Sequence, residues 1–263
     1  MNRGEPSRGK WSKRRIALGT SAGAITVGVL IALIPPLIER SANKLHIALT
    51  GPPVPLTVVA HLFDPGNSCE GGLGWVFATT SAELPMPTIT SESSAASWAL
   101  ANKGIPASGN YVEATIQATD STAVVVTGLE VEVLRRRPAP HGVYPSLGGG
   151  CGGLTPDFYK ANLDAHPPRI TESAGQIMIK SSVRSVQPIP FPHRISDTEP
   201  EVWHIQATTN TCDCEWIGRI HWTSEGQEGT IPLTEHGRPF RAAAITHTTH
   251  LDPGQHGWET FDP

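Results

Sequence analysis

The stretch from residue 111 to residue 117, YVEATIQ, alternates apolar and polar side chains and indicates the fold of the chain. A period of two places one set of side chains on a buried face and the other in water, as in a half-buried β-strand. Residues 129–133 (LEVEV) repeat this pattern, and residues 176–180 and 202–208 repeat it again. With Gly/Pro turns between such strands, we expect a mostly β fold, an irregular β-sandwich that is Ig-like or barrel-like.

Turn and cap residues add local detail to this expectation. Residues 224–226 (SEG) separate the strand-like residues 215–222 from residues 229–233, which predicts a β-hairpin. Gly128 predicts a β-bulge in the strand that contains it. Residues 91–102 (SESSAASWALAN) predict one short helix, because a serine at the start can cap the free amides and a glycine follows the end.

A long uncharged run near the N-terminus, from Ile16 to Ile38, predicts a single transmembrane helix. A helix of this length spans about 34 Å, and a bilayer core is about 30 Å thick. The residues before the run carry six basic side chains against the single acid Glu5, whereas the residues after it carry 14 basic and 23 acidic side chains. Positive flanks stay in the cytoplasm, so we expect the N-terminus inside and the rest of the chain outside the cell membrane.

The expected organisation follows from this anchor. A cleaved signal peptide is the alternative, but its apolar core is usually shorter and ends in a small-x-small site that residues 39–43 lack. We expect five segments: 1–15 cytoplasmic basic tail, 16–38 transmembrane helix, 39–54 stalk, 55–245 extracytoplasmic β domain, and 246–263 flexible tail.

The net charge after the anchor and the small residues within the anchor indicate which partners to expect. The acidic exterior argues against nucleic acid, which needs a basic surface to neutralise phosphates. The bilayer is the first expected partner, through the anchor. The spacing Gly19-x-x-x-Gly23 allows two helices to approach closely, so a homodimer is one possibility and an envelope protein partner is another.

Four cysteines follow the anchor, and outside the cytoplasm an even count predicts disulfides. Three pairings are possible among Cys69, Cys151, Cys212 and Cys214. A bridge between Cys212 and Cys214 would close a very small ring, so we expect each of them to pair with Cys69 or Cys151 instead. A four-cysteine zinc site is disfavoured because the spacing lacks Cys-x-x-Cys pairs.

The sequence supplies little support for a cofactor or a metal. His247, His250 and His256, with Asp252, form the densest group of metal-ligand residues, but their spacing in a Pro/Gly-rich tail is unconstrained. Residues 148–153 match the glycine spacing of a dinucleotide fingerprint without the flanking strand and helix. We therefore expect no cofactor.

One segment resembles an enzyme motif. Residues 208–212 (TTNTC) resemble the active-site strand of sortases, which are membrane-anchored, β-rich cysteine transpeptidases. The resemblance implies Cys212 as nucleophile, Arg219 as oxyanion partner, and His141 or His166 as proton carrier.

Over residues 55–245 the chain is similar to single-pass membrane proteins of unknown function in Streptomyces-like actinobacteria. The segments that carry this resemblance are residues 129–138 (LEVEVLRRRP), 149–154 (GGCGGL), 212–216 (CDCEW) and 237–241 (GRPFR). It implies an extracytoplasmic domain rather than an activity. We expect a binding or interaction role at the cell surface; the alternatives are a sortase-like enzyme and an envelope sensor that signals through the transmembrane helix.

Overall fold

Seventeen strands and one helix make up the part of the chain that the computed structural model describes, residues 54–63, 74–87, 92–145, 157–179 and 182–261. The predicted transmembrane helix lies outside these ranges. Within them, no helix is long and apolar enough to cross a membrane. The mostly β fold is therefore confirmed for the described residues.

The predicted helix and the predicted strand segments coincide with observed elements, but many shorter strands have no predicted counterpart. The helix α1 spans Glu92–Ala101. The strands are β1 Leu56–Leu62, β2 Trp75–Val76, β3 Ile105–Pro106, β4 Tyr111–Ala118, β5 Val124–Pro138, β6 Gly142–Pro145, β7 Asp157–Asn162, β8 Arg169–Glu172, β9 Gly175–Ile179, β10 Ser182–Val186, β11 His193–Ile195, β12 Glu201–Thr208, β13 Cys212–Ser224, β14 Gln227–Leu233, β15 Phe240–Ala243, β16 Thr248–Pro253 and β17 Trp258–Thr260.

Two five-stranded sheets contribute to one main core. The first has the strand order β1-β4-β12-β7-β8, and the second has the order β11-β5-β13-β14, with β15 also paired to β13. Alternate residues of both sheets are buried in the core; among the largest of them are Ile116, Tyr159, Trp203, Trp216 and Ile220. Burying such side chains contributes about 1.5–3 kcal/mol each, which explains why the alternating pattern predicts these strands.

Strand β13 makes the longest strand pairing of the second sheet. It pairs antiparallel with β5 along its whole length, and it turns at Glu225 and Gly226 into β14. Both turn residues have positive φ, 49° and 75°, as the predicted hairpin requires. The bulge predicted at Gly128 is confirmed, because the register against β13 shifts beside it.

The last residues differ from the expectation of a flexible tail after residue 246. Strand β16 pairs in parallel with β6 and antiparallel with β17. Leu251 packs in a second cluster with Trp75 and Phe77, and the Trp258 indole donates to the Leu84 carbonyl at 3.0 Å. These apolar anchors hold the described part of the tail, up to Phe261, against the domain.

Candidate functional site

The paired cysteines at the start of β13 correct one expectation. Cys212 and Cys214 form a disulfide with their Cα atoms 5.4 Å apart. Both side chains face the core from one strand, where residues two apart lie on the same side. The expected pairing of each with Cys69 or Cys151 is therefore wrong; those two cysteines lie outside the described residues.

The residues of the sortase-like hypothesis do not converge on Cys212, although Arg219 and His166 line the same groove. Cys212 is buried on the core face of β13 and held in the disulfide. Arg219 lies on the opposite face, where its Nε donates to Glu132 at 2.7 Å. The His141 ring stacks on His247, with ring centroids 4.9 Å apart.

A carboxylate organises the turn that precedes the disulfide. Asp164 accepts hydrogen bonds from the Thr209 hydroxyl, the Thr211 hydroxyl and the Asn210 amide, each at 2.7 Å. Burial raises the pKa of Asp164, but these three donors outweigh it and leave the pKa below its usual value. The Thr209 oxygen lies 3.0 Å from Cys212 Sγ. This turn therefore positions the start of β13 and brings no nucleophile and base together.

A row of titratable side chains crosses three strands of the first sheet. His61, Glu113 and His204 lie directly opposite one another on β1, β4 and β12. His204 is buried and its Nε2 lies 3.0 Å from a Glu113 oxygen, whereas His61 lies 3.7 Å from the other oxygen. The hydrogen bond from His204 holds the pKa of Glu113 below its usual value.

The second nitrogen of His204 has no hydrogen-bond partner within the described residues. The rings of Phe63, Tyr111 and Phe158 surround it, with centroids 4.3–5.9 Å from the imidazole. His204 and Glu113 therefore form a polar pair whose imidazole is covered by aromatic rings, and the half-exposed His61 lies beside it.

The described tail histidines, His247, His250 and His256, do not form a cluster of metal-ligand side chains. His250 contacts the Tyr144 ring at 4.9 Å, and both line a small cavity of about 270 Å³ with Asp252. His247 stacks on His141 instead. No group of three or more ligand side chains in the described part of the chain has the arrangement of a metal site.

The outward face of the second sheet carries a network of paired charges. Asp213 is only 4 % exposed and accepts hydrogen bonds from Arg137 at 3.0 Å and from Arg241 at 2.6 Å. Arg137 also binds Glu215. Burial raises the pKa of Asp213, but the two guanidinium groups outweigh it and hold the pKa below its usual value.

A groove follows the edge of β5 beside this network. It has a volume of about 470 Å³ and is lined by residues 130–133 and Arg136 of β5, by residues 166–168 and by Arg219. Consecutive strand residues point to opposite faces, so a groove lined by four in a row follows the edge of the strand. We call this surface the β5 groove.

The edge of β5 within the β5 groove is open in the sense that no described strand pairs with it, although β8 and residues 166–168 lie beside it. Strand β11 pairs with β5 only at residues 124–126, and β13 occupies the other side of β5. Residues 127–138 therefore present one side of their backbone without a partner strand among the described residues. An open edge with free amides and carbonyls is the surface to which another extended chain can add.

Comparisons with known proteins found no match for this chain. The chain matches no family model, and neither the curated proteins nor the solved structures contain a similar chain.

Sequence reasoning placed candidate chemistry on Cys212, Arg219 and the tail histidines and missed the β5 groove. The available signal was the run from residue 129 to residue 137, LEVEVLRRR, in which two acids precede three bases. That pattern indicates a strand with both acids on one face, and the run does not reveal the bulge at Leu134 that brings Arg135 and Arg137 to the same face. It does not indicate that one edge of the strand stays open, because this depends on where β11 ends.

Proposed function

We propose that the chain is a membrane-anchored, extracytoplasmic interaction protein, held in the bilayer by residues 16–38 and binding its partner through the β5 groove. The observation that carries the proposal is the open edge of β5 at residues 127–138. The charges around it are partly paired within the domain, as Glu132 is with Arg219, and a Glu130 oxygen lies 3.1 Å from His221 Nε2. Such a surface suits recognition rather than bond-breaking chemistry.

The anchoring half of the proposal rests on the charge asymmetry around residues 16–38. A β-rich domain that contains the Cys212–Cys214 disulfide suits an oxidising compartment. No nucleic-acid partner is expected for its acidic exterior.

A topology experiment tests the anchoring half. The full chain with a C-terminal epitope tag is expressed in cells, and the intact cells are treated with a protease that cannot cross the membrane. We expect the tag to be lost from intact cells and the N-terminus to stay protected, with the protein resisting alkaline extraction. A protected tag, or a secreted chain that begins after residue 38, would overturn the anchored, outward-facing arrangement.

A cross-linking experiment tests the interaction half. A photoreactive amino acid replaces Leu134, which is 49 % exposed within the open edge, and a matched variant carries it at Ile189, which is 46 % exposed. We expect a discrete adduct on intact cells from position 134 and none from position 189. The absence of an adduct at 134, or equal adducts at both positions, would contradict binding at the groove.

A further inference from the structure

The side-chain directions along β5 are set by its register against β13. Val133 lies opposite Trp216, whereas Arg135 lies opposite Glu215, so Leu134 is an extra, bulged residue. Trp216 faces the core, and Glu215 lies on the outward face. Val133 therefore faces inward and Arg135 faces outward.

The outward face of the open edge consequently presents four charges in the order acid, acid, base, base. These positions are Glu130 and Glu132 before the bulge, and Arg135 and Arg137 after it. An antiparallel second copy of the strand presents the same four charges in the order base, base, acid, acid. Two copies of this edge laid antiparallel therefore place acids against bases at all four outward positions.

We propose that the β5 groove is a homodimer interface in which the open edges of two copies pair antiparallel about a two-fold axis between Val133 and Leu134. Glu132 then lies opposite the partner's Arg135, and Glu130 lies opposite the partner's Arg137. The two-fold axis repeats each contact, which gives four opposite-charge pairs. This inference names the partner in the proposed function and rests on that function.

The bulge is compatible with this pairing. In the paired edges, Val133 and Leu134 of one copy oppose the partner's Leu134 and Val133, so each strand contributes the same number of residues. Inward positions meet inward positions as well, since Val131 lies opposite the partner's Arg136. The register therefore keeps every side chain on its own face, which a slip by one residue would not.

Arg135 is the arginine of β5 that could bind a carboxylate of a second copy. It is exposed, and although it lies directly opposite Glu215, it has no ion pair with a carboxylate among the described residues, because Glu215 binds Arg137. Its neighbour Arg137 is held by Asp213 and Glu215. A partner's Glu132, whose side chain is 45 % exposed, would supply the missing anion.

A competing explanation is that the bulge and the arginines keep this edge from pairing with anything, since natural sheets protect their edges in this way. That explanation predicts a monomer, or a dimer that does not depend on these charges. The two explanations therefore differ in a measurable mass and in its response to charge reversal.

The test is the oligomeric state of the purified full chain in detergent and in lipid nanodiscs. We expect a dimer by light scattering, a dissociation constant that rises about tenfold or more for R135E, and recovery in the double variant E132R/R135E. R238E is the matched control, because Arg238 is an exposed residue in the turn before β15. A thermal unfolding curve for each variant establishes that it is folded.

The outcomes separate the inference from the proposed function. A monomer, or a dimer equally stable in wild type and R135E, overturns the inference; the latter result would point to pairing through the anchor helix. An adduct at Leu134 with a different protein overturns the dimer and leaves the interaction function standing. A cytoplasmic β domain overturns the function, even where the purified chain dimerises.

Discussion

Replacing Asp213 by asparagine tests whether the charge network on the second sheet stabilises the domain. The carboxylate is 4 % exposed and bonds both Arg137 and Arg241. The amide has the same shape but no charge, so it cannot balance the two guanidinium groups. Arg137 keeps Glu215 as a second partner, whereas Arg241 lies opposite Glu215 but forms no second ion pair within the described part of the chain.

The expected cost follows from burial. Removing one member of a fully buried ion pair costs about 3–5 kcal/mol. The guanidinium side chains of Arg137 and Arg241 are 34 % and 36 % exposed, so water screens part of this loss. We expect D213N to lower the free energy of unfolding by about 2–3 kcal/mol, or to lower Tm by roughly 5–10 °C for a domain of this size.

Thermal unfolding of the full chain in detergent, followed by tryptophan fluorescence, measures this loss. The control is D120N, because Asp120 is exposed and its carboxylate accepts hydrogen bonds from Thr122 alone among the described residues. We expect this surface substitution to leave Tm almost unchanged. If D213N lowers Tm no more than D120N does, the stabilising role of the buried carboxylate is wrong.

The same variant carries a pH signature. The folded-state pKa of Asp213 lies below its usual value, which is about 3.9 in an unfolded chain. Its contribution to stability is therefore complete above that value and is lost as the pH falls through the folded-state pKa. We expect the Tm difference between wild type and D213N to be constant near neutral pH and to shrink below about pH 4.

Two further predictions concern packing and the disulfide. A Cβ at Gly175 would lie 1.8 Å from the Phe158 ring, so G175A is expected to cost about 1–3 kcal/mol in the same unfolding assay. G128A should change stability by less than about 0.5 kcal/mol, because no heavy atom lies within 4 Å; equal effects would show that the Phe158 ring moves aside freely. Tryptic digestion without reductant should release one peptide that contains both Cys212 and Cys214 and is about 2 Da lighter than its reduced form. A mixed peptide joined to another cysteine would contradict the pairing.

The fold was predictable where burial follows a local period. In β4 the buried and half-buried residues alternate without a break, so residues 111–117 carry the information for the strand by themselves. The hairpin at Glu225 and Gly226 was predictable for a similar reason, since the glycine adopts positive φ without steric cost between two strand-like segments. Neither feature needs a distant part of the chain.

The pairing of Cys212 with Cys214 was not predictable from ring size. Two residues apart on an extended strand, Cα atoms lie about 6.6 Å from each other, and both side chains point to one face. Here the Cα atoms are 5.4 Å apart, so the strand contracts by only a small amount to reach bonding distance. Ring size therefore does not exclude a disulfide when the strand already places both sulfurs on the same face.

The candidate site depends on non-local pairing and on the bulge. If Leu134 continued the regular pleat after Val133, Arg135 and Arg137 would face the core. The extra residue moves both to the outward face, where Arg137 meets the acids of β13 and Arg135 stays without an ion pair among the described residues. Three consecutive arginines therefore occupy different environments, and the one left over sets the charge pattern by which a second edge could be recognised.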